Sequence, residues 1–266
     1  MIDFPRLVFH GSSLPPGTDS TELRKPKLEQ PFFVGDSLDM AIWYMEFSNY
    51  GENINPSVFI FKMKESSKNL LFNIENYNDY KRLKTKFPNF INYLQYKLVG
   101  DETFYDAMNT IATQTCYMWF ITPDDKFRKS IPYNDRWGKM TKLKVEVAME
   151  LGIVESSTEK GKRIISCTQE IEKILKANGS NDNSLTLIRR YAKARIYKEI
   201  YDLGFRIVKD GDTTTNRKNS RSEYAILDMD VFESGLNKSM SIVTARRKLK
   251  EIEKKFKDYE NGGGIV

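Results

Sequence analysis

The chain has 266 residues, enough to bury one large core or two small ones. Hydrophobic residues make up 40% and charged residues 29%, which excludes a disordered or fibrous protein; the net charge of +6 permits a polyanionic partner without requiring one. Two cysteines, Cys116 and Cys167, and a single histidine, His10, exclude a disulfide framework, a cysteine-based zinc site and a multi-histidine metal centre. No apolar run reaches the roughly 18 residues of a membrane-spanning helix, and the first residues lack the basic and apolar regions of a signal peptide. The expectation is a soluble, cytoplasmic chain with no membrane partner.

In chain order, residues 6–10 read as a β-rich strand stopped by Gly11-Ser12-Ser13. A loop with Pro15, Pro16, Gly17 and Pro26 leads to a second extended piece at 31–35. Asp36 or Ser37 suits an N-cap, and Leu38, Ala41, Ile42 and Met45 have helical spacing over 38–47. Strands are predicted at 58–64 and 70–74. Residues 76–203 read as mostly helical, with segments near 77–98, 103–118, 141–151 and 167–177 and loops at 122–138 and 177–183. A better defined helix at 185–203 stops at Gly204. Strands return at 205–209 and 223–228, around a polar connection at 210–222. An amphipathic helix at about 240–259 carries Ile242, Leu249, Ile252, Phe256 and Tyr259 on one stripe. The pattern predicts an α+β fold: one domain over 1–266, with 76–184 as a mainly helical insertion and 238–266 as a C-terminal helix and tail.

No glycine-rich phosphate loop and no calcium loop is present. Three short features remain. Phe9-His10-Gly11-Ser12 ends the first strand. Phe32-Phe33 runs into a helix bearing Ser37, Ala41 and Tyr44. Ser222-Glu223-Tyr224-Ala225-Ile226-Leu227-Asp228 is a late strand that opens on a carboxylate. Singly, each suits a structural role: a satisfied histidine, core aromatics, a solvated glutamate.

In this order the three features resemble the ADP-ribosyltransferase superfamily, in particular its His-Tyr-Glu branch, which includes the poly-ADP-ribose polymerases. The resemblance covers roughly 1–75 and 185–232. It implies a split β-sheet core and cleavage of the nicotinamide–ribose bond of NAD, which serves as co-substrate. Glu223 would be the catalytic residue, a carboxylate facing the developing oxocarbenium ion. His10 would donate to a ribose hydroxyl, the Gly11 backbone would pair with the nicotinamide carboxamide, and Ser12 would assist. Phe32 or Phe33 would stack on nicotinamide, Ser37 would reach its amide, and Tyr44 completes the cofactor-binding set. No metal is implied, because positively charged nicotinamide already leaves readily. Where the family has a stacking tyrosine this chain has phenylalanine. Arg221 stands two residues before Glu223, where arginine-specific members carry an acidic or amide residue.

The connection before Glu223 carries Arg217, Lys218 and Arg221, which by resemblance face the acceptor; a basic loop suits a phosphate-bearing one. Arg189, Arg190, Lys193 and Arg195 lie among Tyr191 and Tyr197, and the last helix is rich in lysine and arginine. The expected function is therefore mono-ADP-ribosyl transfer from NAD to RNA or DNA, as in nucleic-acid-targeting toxins and anti-phage effectors, with an antitoxin or inhibitor protein as a further partner. The alternatives are transfer to a protein acceptor and a non-catalytic basic nucleic-acid-binding module.

Overall fold

The computed structural model describes residues 4–47, 57–73, 76–97, 128–131, 139–179, 182–212, 222–234 and 238–260. Its first half holds β1 (Leu7–Ser12), β2 (Phe32–Gly35), α1 (Leu38–Phe47), β3 (Ser57–Lys62), β4 (Leu71–Asn73), α2 (Tyr77–Lys84), α3 (Pro88–Lys97), β5 (Arg128–Ile131) and α4 (Lys139–Glu150). Then come β6 (Val154–Glu159), β7 (Lys162–Cys167), α5 (Gln169–Asn178), α6 (Asp182–Asp202), β8 (Ile207–Asp212), β9 (Ser222–Ile226), β10 (Met240–Ser241) and α7 (Ile242–Glu260).

The main sheet has seven strands in the order β10-β3-β1-β2-β9-β8-β4. All its pairs are antiparallel except β4 with β8, which closes one edge in parallel. The fold is thus α+β with a mostly antiparallel sheet. β3, between β10 and β1, is apolar on both faces: Val58, Phe59, Ile60 and Phe61 are all buried, as expected of a strand covered on two sides. Alternation sorts the side chains. Phe9, Ile60, Phe33, Val208 and Ala225 point to the face that receives the helices, while Val8, Phe59, Phe61, Phe32, Tyr224, Ile226 and Ile207 form a second core on the other. That second core is closed by Val231 and Phe232 and by partly buried Phe4 and Leu23.

On the helical face two clusters form. One joins Phe72, Val208 and Ala225 to α2–α6; the other packs α1 and α7 on Phe9, Val58 and Ile60. Ser37 caps α1, its Oγ accepting from the Met40 N–H at 3.2 Å. In the same way the Ser241 Oγ accepts from the Thr244 N–H at 3.3 Å at the start of α7. α3 begins at Pro88, which has no N–H to satisfy, and the preceding Phe87 has no polar side chain. Glu150 of α4 fills that gap: its Oε1 accepts from Asn89 N–H at 3.0 Å and its Oε2 from Phe90 N–H at 2.8 Å.

The segment expected to be mostly helical also contains a three-stranded antiparallel sheet, order β5-β7-β6. The β6–β7 hairpin turns on Lys160 (φ 48°) and Gly161 (φ 75°), a pair of positive φ values that matches strand twist. The expected helix at 77–98 is two helices, divided before Pro88. The helix expected near 103–118 lies outside the described residues.

Candidate active site

The three motifs are far apart in sequence and converge on β1, β2 and β9, which are neighbours in the sheet. Phe9 lies opposite Gly35, and Gly35 opposite Glu223, so the three occupy one cross-strand row. Only that one pair joins β1 to β2, whereas β1 and β3 are paired along six residues. The sheet is therefore held loosely at the β1/β2 seam.

His10 sits in that seam. Its Nδ1 bonds the Phe33 carbonyl at 2.8 Å. A carbonyl only accepts, so Nδ1 carries the proton and Nε2 of the neutral ring is an acceptor. Burial pushes the ring's pKa down to about 4; the bond to Phe33 works in the opposite direction, and the Arg24 guanidinium adds to the lowering. Where the sequence suggests that His10 donates to a hydroxyl, a neutral ring in this tautomer would instead accept from one through Nε2. The ring lies 4.2 Å from that of Phe32, centroid to centroid, and 6.5 Å from that of Phe59. Phe32 is buried, with edge contacts to Phe61 and Phe232. Phe33 points to the opposite face and packs against the helical core.

Gly11 faces α1. A Cβ there would stand 2.4 Å from the Ala41 carbonyl oxygen and 2.6 Å from Met45 Cγ. The close approach that makes glycine necessary is thus made by the chain's own helix. Ser12 closes the strand, its Oγ accepting from the Leu14 N–H at 3.1 Å. The Ser37 hydroxyl serves as the α1 cap. Tyr44 belongs to α1, and its side chain lies outside the described residues, as do Arg217, Lys218 and Arg221 of the connection between β8 and β9.

Glu223 is buried at the start of β9. Its strand end is pinned to β2 by Asp36: the Asp36 N–H donates to Ser222 O at 3.1 Å, and the Ser222 N–H donates to Asp36 Oδ2 at 2.9 Å. Alternation along β9 sends Glu223 to the side of Ala225, the helical face, away from Tyr224 and from the His10–Phe32 pair. The structure therefore brings His10 and Phe32 together on one face and sets Glu223, Gly11 and Phe33 on the other, all within three adjacent strands. From the sequence Asp36 reads only as a helix cap, and Arg24 stands out in no way; neither lies in a motif that would flag it.

Among the described residues no group of three or more His, Cys, Asp or Glu side chains could hold a metal ion. Cys167 is buried, which pushes its thiol up to about 12 and leaves little of the reactive thiolate. No described helix is long and apolar enough to cross a membrane. Compared with protein-family models, with curated proteins and with solved structures, the chain matches none.

Proposed function

We propose that the protein is a mono-ADP-ribosyltransferase that moves ADP-ribose from NAD to a nucleic-acid acceptor, in the manner of a toxin or anti-phage effector. The observation that supports this most is the convergence of the His-Gly-Ser, Phe-Phe and Glu-Tyr features on β1, β2 and β9, with Gly35 and Glu223 in register. In this scheme His10 and Glu223 would hold NAD from the two faces of the sheet, and NAD would supply the ADP-ribose group. The His10 Nε2 accepts from a ribose hydroxyl on one side. On the other, the Glu223 carboxylate faces the ribose whose bond to nicotinamide breaks; its charge opposes the growing oxocarbenium ion and stabilises it more than the ground state. Nicotinamide leaves with the bonding electrons, and an acceptor oxygen or nitrogen attacks the anomeric carbon and loses its proton to solvent. The Asp36–Ser222 bonds act as a positioning device for Glu223.

A second reading has one observation in its favour. The His10 ring already serves the fold by bonding the Phe33 carbonyl across the seam, as it would in a binding module without catalysis. Transfer of adenine-labelled ADP-ribose separates the two. With total RNA, single-stranded DNA and lysate proteins offered separately, label is expected on RNA or DNA and is lost in Glu223→Gln. Label on protein alone would replace the acceptor. No label and no released nicotinamide, with any acceptor, would leave the binding module.

A further inference from the structure

The outer face of α7 carries a row of cations. Arg246, Arg247 and Lys250 are exposed, and among the described residues none of them has a carboxylate within ion-pair distance. Arg246 and Lys250 are four residues apart, about 6 Å along the helix. Glu251 stands four residues after Arg247 and Glu253 three after Lys250, at the two edges of the strip. The opposite stripe is used up by the fold: Ala245 is fully buried, and Ile242 and Leu249 pack against the cluster of Phe9, Val58 and Ile60. An anionic membrane wants cations beside a broad free apolar face; in the first two turns of this helix Ala245 is buried, Ile242 and Leu249 pack on the core, and Val243 alone is left exposed beside the cations. A phosphodiester strand wants only the cations, one per helical turn. α7 also lies on the face of the sheet to which Glu223 points, next to α1.

We propose that the Arg246/Arg247/Lys250 row of α7 binds the phosphodiester backbone of a nucleic-acid strand and holds the acceptor along the helical face of the sheet. The link to an acceptor rests on the transferase reading; the binding itself does not.

The test is fluorescence anisotropy of the full chain with labelled single-stranded RNA, single-stranded DNA and duplex DNA from 50 to 300 mM KCl. Phosphatidylserine vesicles and phosphatidylcholine vesicles form parallel arms. The triple variant Arg246→Ala/Arg247→Ala/Lys250→Ala is expected to bind the strands at least about tenfold more weakly near 0.1 M salt. Its log–log salt slope should fall by about 2, at roughly 0.7 for each phosphate of a single strand that is no longer neutralised. The charge-keeping variant Arg246→Lys/Arg247→Lys/Lys250→Arg should bind as the parent does. So should Lys81→Ala/Lys173→Ala, which removes two exposed cations elsewhere. An unchanged slope in the triple variant, equal weakening in the Lys81/Lys173 control, or binding only to anionic vesicles would overturn the proposal. Transfer by the parent and by the triple variant, with Glu223→Gln as the inactive control, separates the two ideas. Strand binding that depends on α7, with no transfer by the parent to any acceptor, keeps this inference and removes the transferase reading. Transfer that survives in the triple variant with unchanged strand affinity does the reverse.

Discussion

A methyl group added at residue 11 has nowhere to go. Its nearest neighbour would be the backbone oxygen of Ala41, 2.4 Å away, and backbone yields less readily than a flexible side-chain tip. Gly11→Ala is expected to push α1 off β1 and cost about 1–3 kcal/mol, read as a lower urea midpoint. Ala at Gly17, where no neighbour lies within 4 Å but φ is +95°, tests strain without a clash. Individual residues are legible in the sequence to different degrees. His10, Gly11 and Glu223 stand out because each is rare or charged in an apolar strand. Which face each uses is not legible, since that depends on the pairing register between strands distant in sequence. A period of two shows that His10 and Phe9 point apart; it cannot show that Glu223 shares a face with Phe9.

At the scale of the element, α3 shows how a helix start can depend on another helix. Phe87 offers no cap, and the Glu150 carboxylate holds the second and third N–H groups. Glu150→Ala leaves both unsatisfied and should cost about 1–2 kcal/mol in equilibrium unfolding, with part of the loss restored by Gln, whose carbonyl can accept one bond. Nothing in the sequence ties 150 to 88, so the cap is not foreseeable from it. The β6–β7 hairpin escapes a sequence reading for a different reason. Glu155 to Glu159 are exposed and polar on both faces, so the strand lacks the alternation that marks most strands, and only Lys160-Gly161 hints at a turn. By contrast the helix at 38–47 and the C-terminal helix are readable, because the first packs Leu38, Ala41, Ile42 and Met45 on the sheet, the described start of the second packs Ile242, Ala245 and Leu249 there, and each carries its own serine cap.

For the whole molecule, pH is a probe of the seam. The His10 pKa falls from 6.5 unfolded to about 4 folded, so between those values the unfolded chain binds more protons and stability drops as pH falls. The contribution is complete above pH 6.5. About 2 kcal/mol should be lost by pH 5, and the loss should vanish in His10→Asn, whose amide can still donate to the Phe33 carbonyl without titrating. Burial raises the pKa of Glu150 and of Asp79. Their effect has the opposite sign: it favours the fold below the ordinary carboxylate range and fades as pH climbs through the raised values. A pH titration of the urea midpoint for the parent and for His10→Asn isolates the histidine.

The parallel contact of β4 with β8, Leu71 opposite Ile207, also has a kinetic meaning. It fastens one edge of the sheet only after the chain between them has been gathered into a closed loop. Closing so long a loop costs on the order of 4 kcal/mol of chain entropy if the loop is unstructured. The helices and the hairpin inside it need no such closure and can form first from local contacts. Refolding should then show helical signal before β4 docks, with the seam strands last to become protected from hydrogen exchange. A chain that emerges slowly from a ribosome would thus hold its candidate site unfinished until β8 and β9 have been made.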